Sequence, residues 1–334
     1  MIQRSWLGGP GCALIVLILL GYGQGWIADS NPVERLEAST RGPAQTSSQV
    51  TTLRHNALTP TRTTARPTST PTVQASPTTP PSATLTGDPE LWKSRPVVPQ
   101  ISQVARATYQ RGIERGNDPR RFSKIGDCQN IPSYFLAVFD RPADYTLGVN
   151  YEYLRGTIEW YAGSFSRNSV AARSGFNAAS ILSPRWADPQ QCIGSETPLD
   201  CELRLHRPSA MIVSLETWWA GDTEKYAAYL RRIVDTALAH DVVPILATKA
   251  DDIEGGHRIN AAIAALADEY SMPLWNFWLA AQPLPAHGLS EDGFHLTYAG
   301  NRFDDPARMK AAWPWRNLTA LQVLDSLRQE LSQP

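Results

Sequence analysis

The chain has 334 residues, a formal net charge of −1 and 42% apolar side chains. A near-neutral chain with no basic stripe argues against a nucleic-acid partner. No Gly-rich phosphate loop, metal-ligand cluster or dinucleotide fingerprint is visible, so no cofactor is expected.

Arg4 precedes an apolar run from Cys12 to Leu20, the length of a signal-peptide core; taken from Trp6 to Ile27 it just reaches membrane-spanning length. Residues 1–28 therefore read as a signal peptide or an N-terminal membrane anchor. No Ala-x-Ala site follows and a long tether does, which favours the anchor. Arg4 belongs on the cytoplasmic side, so both readings place the remainder outside the cytoplasm, secreted or held at the cell membrane. Residues 29–90 form a linker. Its segment 40–87 has fifteen Thr and seven Pro but no aromatic or acidic residue. Such a composition cannot offset the entropy of ordering and predicts disorder.

From 91 to 334 the pattern becomes globular. Short apolar runs at Phe122–Asp127, Ala210–Leu215, Val242–Thr248 and Met272–Trp278 suit strands buried on both faces. Between them, Asp222–His240 carries Tyr226, Leu230, Ile233, Val234 and Ala237 on one helical stripe. His257–Tyr270 and Leu318–Leu331 repeat that spacing. Strands alternating with helices predict an α/β fold, a three-layer α/β/α sandwich around a parallel sheet. Ligands bind such sheets beyond the carboxyl ends of the strands. Cys192 and Cys201 flank a short Gly- and Pro-containing loop. Outside the cytoplasm they are expected to form a disulfide, rather than to ligate zinc without a second ligand pair. Cys128 is then expected to be a free thiol.

Two motifs carry chemistry. Gly126-Asp127-Cys128 follows the first strand, where a nucleophile is commonly displayed at a strand-to-helix turn. Asp292-Gly-Phe-His295 places an Asp three residues before a His, able to hold one imidazole nitrogen and leave the other as a base. Together they resemble the first and last motif blocks of the SGNH (GDSL-type) hydrolases, over residues 120–300, with Cys128 where that family carries Ser. The resemblance implies a Cys128–His295–Asp292 triad acting on an ester. It also implies an oxyanion pocket to which Gly175 contributes a backbone N–H, although Arg-Ser-Gly would serve equally as an ordinary turn. Where the family reads Gly-x-Asn-Asp, this chain reads Glu216-Thr217-Trp218-Trp219, so Thr217 and Trp218 line the expected substrate space. An indole cannot reproduce a carboxamide donor. Trp275, Trp278, Trp313 and Trp315 read as packing groups.

Two functions follow. One is an exported hydrolase or acyltransferase whose substrate is a small-molecule, lipid or glycan ester. The other is an inactive relative that binds cell-envelope carbohydrate in an aromatic-lined cleft.

Overall fold

Why the chain turns at each element is local. Ser102 accepts the Ala105 N–H and starts α1, Gln103–Glu114, which leads into β1, Asp118–Gly126. The short β2, Tyr145–Thr146, and α2, Arg155–Trp160, follow. A reciprocal capping box between Thr197 and Asp200, with Pro198 in the first turn, opens α3, Pro198–His206. Then come β3, Pro208–Ser214; α4, Thr223–Ala239; β4, Val243–Ala247; α5, Arg258–Tyr270; β5, Leu274–Trp275; and α6, Phe277–Ala281. The two-residue β6, Asn301–Arg302, precedes the long α7, Ala312–Leu331. The computed structural model describes residues 90–215 and 222–331. The targeting segment, the linker up to residue 89, Thr217 and Trp218 lie outside them. No helix among the described residues is long and apolar enough to cross a membrane.

The main sheet runs β1-β3-β4-β5, and every pair is parallel. On the far side of β1, Gly126 bonds in parallel to the segment around Ala172, donating to Ala171 O (3.0 Å) and accepting from Arg173 N–H (3.1 Å). Chain order therefore departs from β1 in both directions, and β1/β3 is the point where it reverses. The buried carboxylate of Glu202 holds that outer segment, accepting from Ser123 Oγ (2.5 Å), the Val170 N–H (3.1 Å) and the Arg167 guanidinium.

The alternation of side chains builds the layers. Ala210, Ile212, Val243, Ile245 and Trp275 enter one core with Ala105, Leu321, Leu324 and Leu327. Met211, Val213, Leu246 and Leu274 enter the other with Leu203, Leu230, Ile233 and Ile263. One face is thus covered by α1 and α7, the other by α3, α4 and α5, as expected of a three-layer α/β/α sandwich. Every residue of β3 is buried. Each such large apolar side chain contributes roughly 1.5–3 kcal/mol on burial.

Several boundaries differ from expectation. The run Met272–Trp278 supplies only two strand residues. Asn276 ends it, because its side chain accepts the Leu279 N–H and starts α6. The final helix begins at Ala312, not Leu318. Thr297 Oγ1 accepts the Ala312 N–H (2.9 Å) and Thr297 O accepts the Trp313 N–H (3.1 Å), a cap supplied from a remote loop. The Cys192–Cys201 disulfide is present, with Cα atoms 5.3 Å apart.

Gly126 sits where β1, β3 and the following turn converge. A Cβ there would meet the Asn130 side-chain amide and lie 2.6 Å from Ser214 O. Gly126→Ala is expected to destabilise the fold by about 1–3 kcal/mol, since β1 and β3 cannot part without losing their ladder. Urea unfolding of the two proteins checks it; an unchanged midpoint would contradict the crowding.

Candidate active site

The loop at 289–297 is built to present a histidine. Leu289 and Leu296 form an antiparallel bridge, and the Ser290 N–H donates to His295 O at 2.7 Å. Between them Gly293 takes φ +67°, a conformation that other residues adopt only with strain. Its N–H closes the turn on Ser290 O at 2.9 Å. Asp292 organises the rest. Oδ1 accepts the backbone N–H groups of Phe294 and His295, both at 2.9 Å, and Oδ2 lies 2.5 Å from His295 Nδ1. One carboxylate therefore fixes the loop and the imidazole together.

The charge on Asp292 follows from those bonds. Partial burial works against ionisation, but the His295 ring and the two N–H donors outweigh it and hold the carboxyl at about 2. Asp292 is thus an anion at any ordinary pH. Its partner nitrogen takes the proton, so Nε2 is the basic nitrogen of neutral His295. The His295 side chain is 39% exposed, and among the described residues its Nε2 has no hydrogen-bond partner. An oriented imidazole with an open nitrogen can remove a proton from a bound group or from water.

Cys128 departs from the sequence expectation in three ways. It begins a single 3-10 turn, Cys128–Asn130, capped by Asp127 through the Gln129 N–H at 2.8 Å. There is thus no α-helix N-terminus to lower a thiol pKa. No hydrogen bond joins it to His295. It is not a free thiol either, because it is disulfide-bonded in this structure. A disulfide sulfur carries no S–H and cannot attack a carbonyl as a thiolate. What holds is its place: the residue directly after Asp127 at the carboxyl end of β1, 8% exposed, at the β1/β3 reversal point.

Gly175 is the third residue of an exposed turn closed by the Phe176 N–H on Arg173 O (3.0 Å), at φ +86°. That turn leaves the carboxyl end of the Ala172 edge beside β1. The 217–218 pair cannot be placed, lying outside the described residues.

Sequence reasoning missed the groups beneath the strand ends. From α7, the fully buried Arg316 reaches Ser214 Oγ (2.5 Å) at the end of β3 and lies 5.0–5.1 Å from the ring centres of Phe135, Trp275 and Phe277. Past β4, Lys249 Nζ lies 2.7 Å from Asp251 and 2.5 Å from Glu254. Burial opposes the Lys249 charge, but the two carboxylates outweigh it and keep the ammonium protonated. Neither group breaks a periodic pattern in a way that marks it. A cation of this kind becomes visible only when its partners converge.

Neither a family model nor a curated protein matches the sequence. Several solved structures are similar to it, among them two esterases. A psychrotrophic esterase, EstA from Pseudoalteromonas sp., is 14% identical over 64% of this chain and 100% of its own, with a TM-score of 0.38. A catalytic mutant of Axe2, an acetylxylan esterase from Geobacillus stearothermophilus, is 12% identical over 64% of this chain and 94% of its own, with a TM-score of 0.35. Superpositions this loose transfer no residue role. The class is defined by the molecule's own architecture: a three-layer α/β protein with an Asp–His pair.

An acid held below its ordinary value stabilises the fold wherever the unfolded chain would be less acidic. Asp292 therefore contributes above about pH 4, and the contribution is lost as pH falls through about 2. Because the side chain is half exposed, the effect is about 1 kcal/mol or less. Asp292→Asn should be less stable than the parent at pH 6 and converge on it near pH 2. Denaturant melts at both pH values check the sign.

Proposed function

We propose that this chain is an exported acyl-ester hydrolase in the manner of the SGNH enzymes, with His295 as general base, Asp292 as its orienting anion and Cys128 at the nucleophile position. The observation that carries the reading is the Asp292–His295 pair with its open Nε2. Chemistry belongs to the reduced state of Cys128. His295 takes the thiol proton, and the thiolate adds to the ester carbonyl carbon. The Gly175 N–H is the candidate donor to the oxyanion. Collapse expels the alcohol, which receives the proton from His295, and leaves a thioester. Water then attacks the thioester, again through His295, releasing the acid and restoring the thiol. The substrate is an acylated glycan or lipid outside the cytoplasm, and the N-terminal segment is a cleaved signal or keeps the enzyme at the membrane.

Cys128 in place of Ser and the departure at 216–219 favour a second reading: a non-catalytic relative that binds envelope carbohydrate in an aromatic-lined cleft. The two readings separate on one assay. Hydrolysis of 4-nitrophenyl acetate by the wild type should be near background when oxidised and rise when a thiol or phosphine reductant is added. Cys128→Ser should be insensitive to reductant, and it also reports whether reducing Cys192–Cys201 matters. His295→Ala should lose roughly 10²–10⁴ of the reduced rate, and Asp292→Asn a comparable factor by releasing the imidazole tautomer. If the reduced wild type turns over no faster than His295→Ala, the binding reading stands instead.

A further inference from the structure

A cavity of about 350 Å³ opens between the segments that follow the two motifs. One wall is the chain after Cys128, with Tyr134; another is the chain after His295, with Tyr298 and Arg302. The floor is Trp313 of α7, and Arg141 with Asp144 close the remaining side. Buried Asn317 holds these walls in place. Its Oδ1 accepts the Leu136 N–H (2.7 Å), and its Nδ2 donates to Asn301 Oδ1 (2.9 Å) and Tyr134 O (3.2 Å). Thr297, two residues past His295, carries the N-terminus of α7 and so couples Trp313 to the histidine loop. The pocket and the Asp–His pair are therefore parts of one rigid frame.

The lining has a definite chemistry. Tyr134 stacks on Trp313 with ring centres 5.4 Å apart and planes at 25°, while Tyr298 stands 70% exposed. Trp313 is covered by Tyr134, so the open aromatic face is that of Tyr298, a flat apolar surface suited to the C–H face of a sugar ring. Arg141 is engaged, its Nε 2.6 Å from Asp144 Oδ2, which also neutralises the one carboxylate of the lining. Arg302 is different. Strand β6 fixes its backbone beside β2, yet among the described residues its guanidinium has no hydrogen-bond or ion-pair partner. Of its acidic neighbours, Asp304 accepts from Thr146 Oγ1, and Asp305 Oδ2 lies 3.9 Å from Arg308. An uncommitted guanidinium beside aromatic faces matches a ring that carries its own carboxylate, which it can bind with two parallel N–H···O bonds.

We infer that this pocket is a subsite for an acidic sugar, a hexuronate unit of a carboxylated glycan, seated on Tyr298 with its carboxylate on Arg302. The inference deepens the hydrolase reading by naming the glycan, but it concerns binding and is tested apart from turnover. The full chain carrying His295→Ala is titrated calorimetrically with D-galacturonate, D-galactose and inorganic phosphate. Galacturonate should bind at least about tenfold tighter than galactose, the worth of one charge-assisted pair. Arg302→Ala and Arg302→Gln, both on the surface, should erase that preference, whereas Tyr298→Ala should weaken both sugars alike. Equal affinity for the two sugars, a preference that survives loss of Arg302, or phosphate binding as tightly as galacturonate would each overturn the subsite. Loss of esterase activity in the wild type would leave these titrations unaffected.

Discussion

The constraint on which the molecule depends is the meeting of β1 and β3 at their carboxyl ends. Gly126 pairs with Ser214 on one side and with the 171–173 segment on the other, so the chain must leave β1 and β3 in different directions. In open parallel sheets such a divergence is where a crevice forms. It is why Asp127 and Cys128 come off one wall, Leu215 comes off the next, and a glycine is needed between them. Buried charges underwrite the geometry from both faces. Glu202 pins the outer segment, and Arg316 threads three aromatic rings to reach Ser214. A buried charge stripped of its partner costs several kcal/mol, so these contacts favour a single arrangement of the strand ends.

The histidine is positioned by a different means. Asp292 spends one oxygen on the backbone and the other on the ring, so forming the loop and orienting the base are the same event. Thr297 then transmits that order to α7, whose first turn it caps from a distance. Loop, helix and pocket floor consequently share their supports. A loop of this kind holds a half-exposed imidazole steady without burying it, which keeps Nε2 available to a ligand.

Cys128 is disulfide-bonded in this structure. In a reducing setting it would be a thiol at the carboxyl end of β1. As a disulfide it carries no S–H. The aromatic groups serve either case. Trp313, which its sequence context suggests is simple packing, contributes the floor of the pocket while remaining largely buried.

Read alone, the sequence determined the alternation of strands and helices, the two-sided burial of the sheet, the Cys192–Cys201 pair and the local Asp292–His295 relation. Each rests on neighbours in sequence: period-2 and period-3.6 burial, a short loop between cysteines, a three-residue reach from carboxylate to imidazole. Boundaries slipped where one side chain overrode the apolar pattern, as Asn276 did by capping α6 and Thr297 by capping α7. Tertiary structure alone decided what required distant segments to meet. The pairing of Ala172 with Gly126, the Arg316 box, the Lys249 carboxylate pair, the oxidised state of Cys128 and the uncommitted guanidinium of Arg302 have no periodic trace. Their chemistry lies in the partner a residue finds, and composition cannot name a partner that folding has yet to deliver.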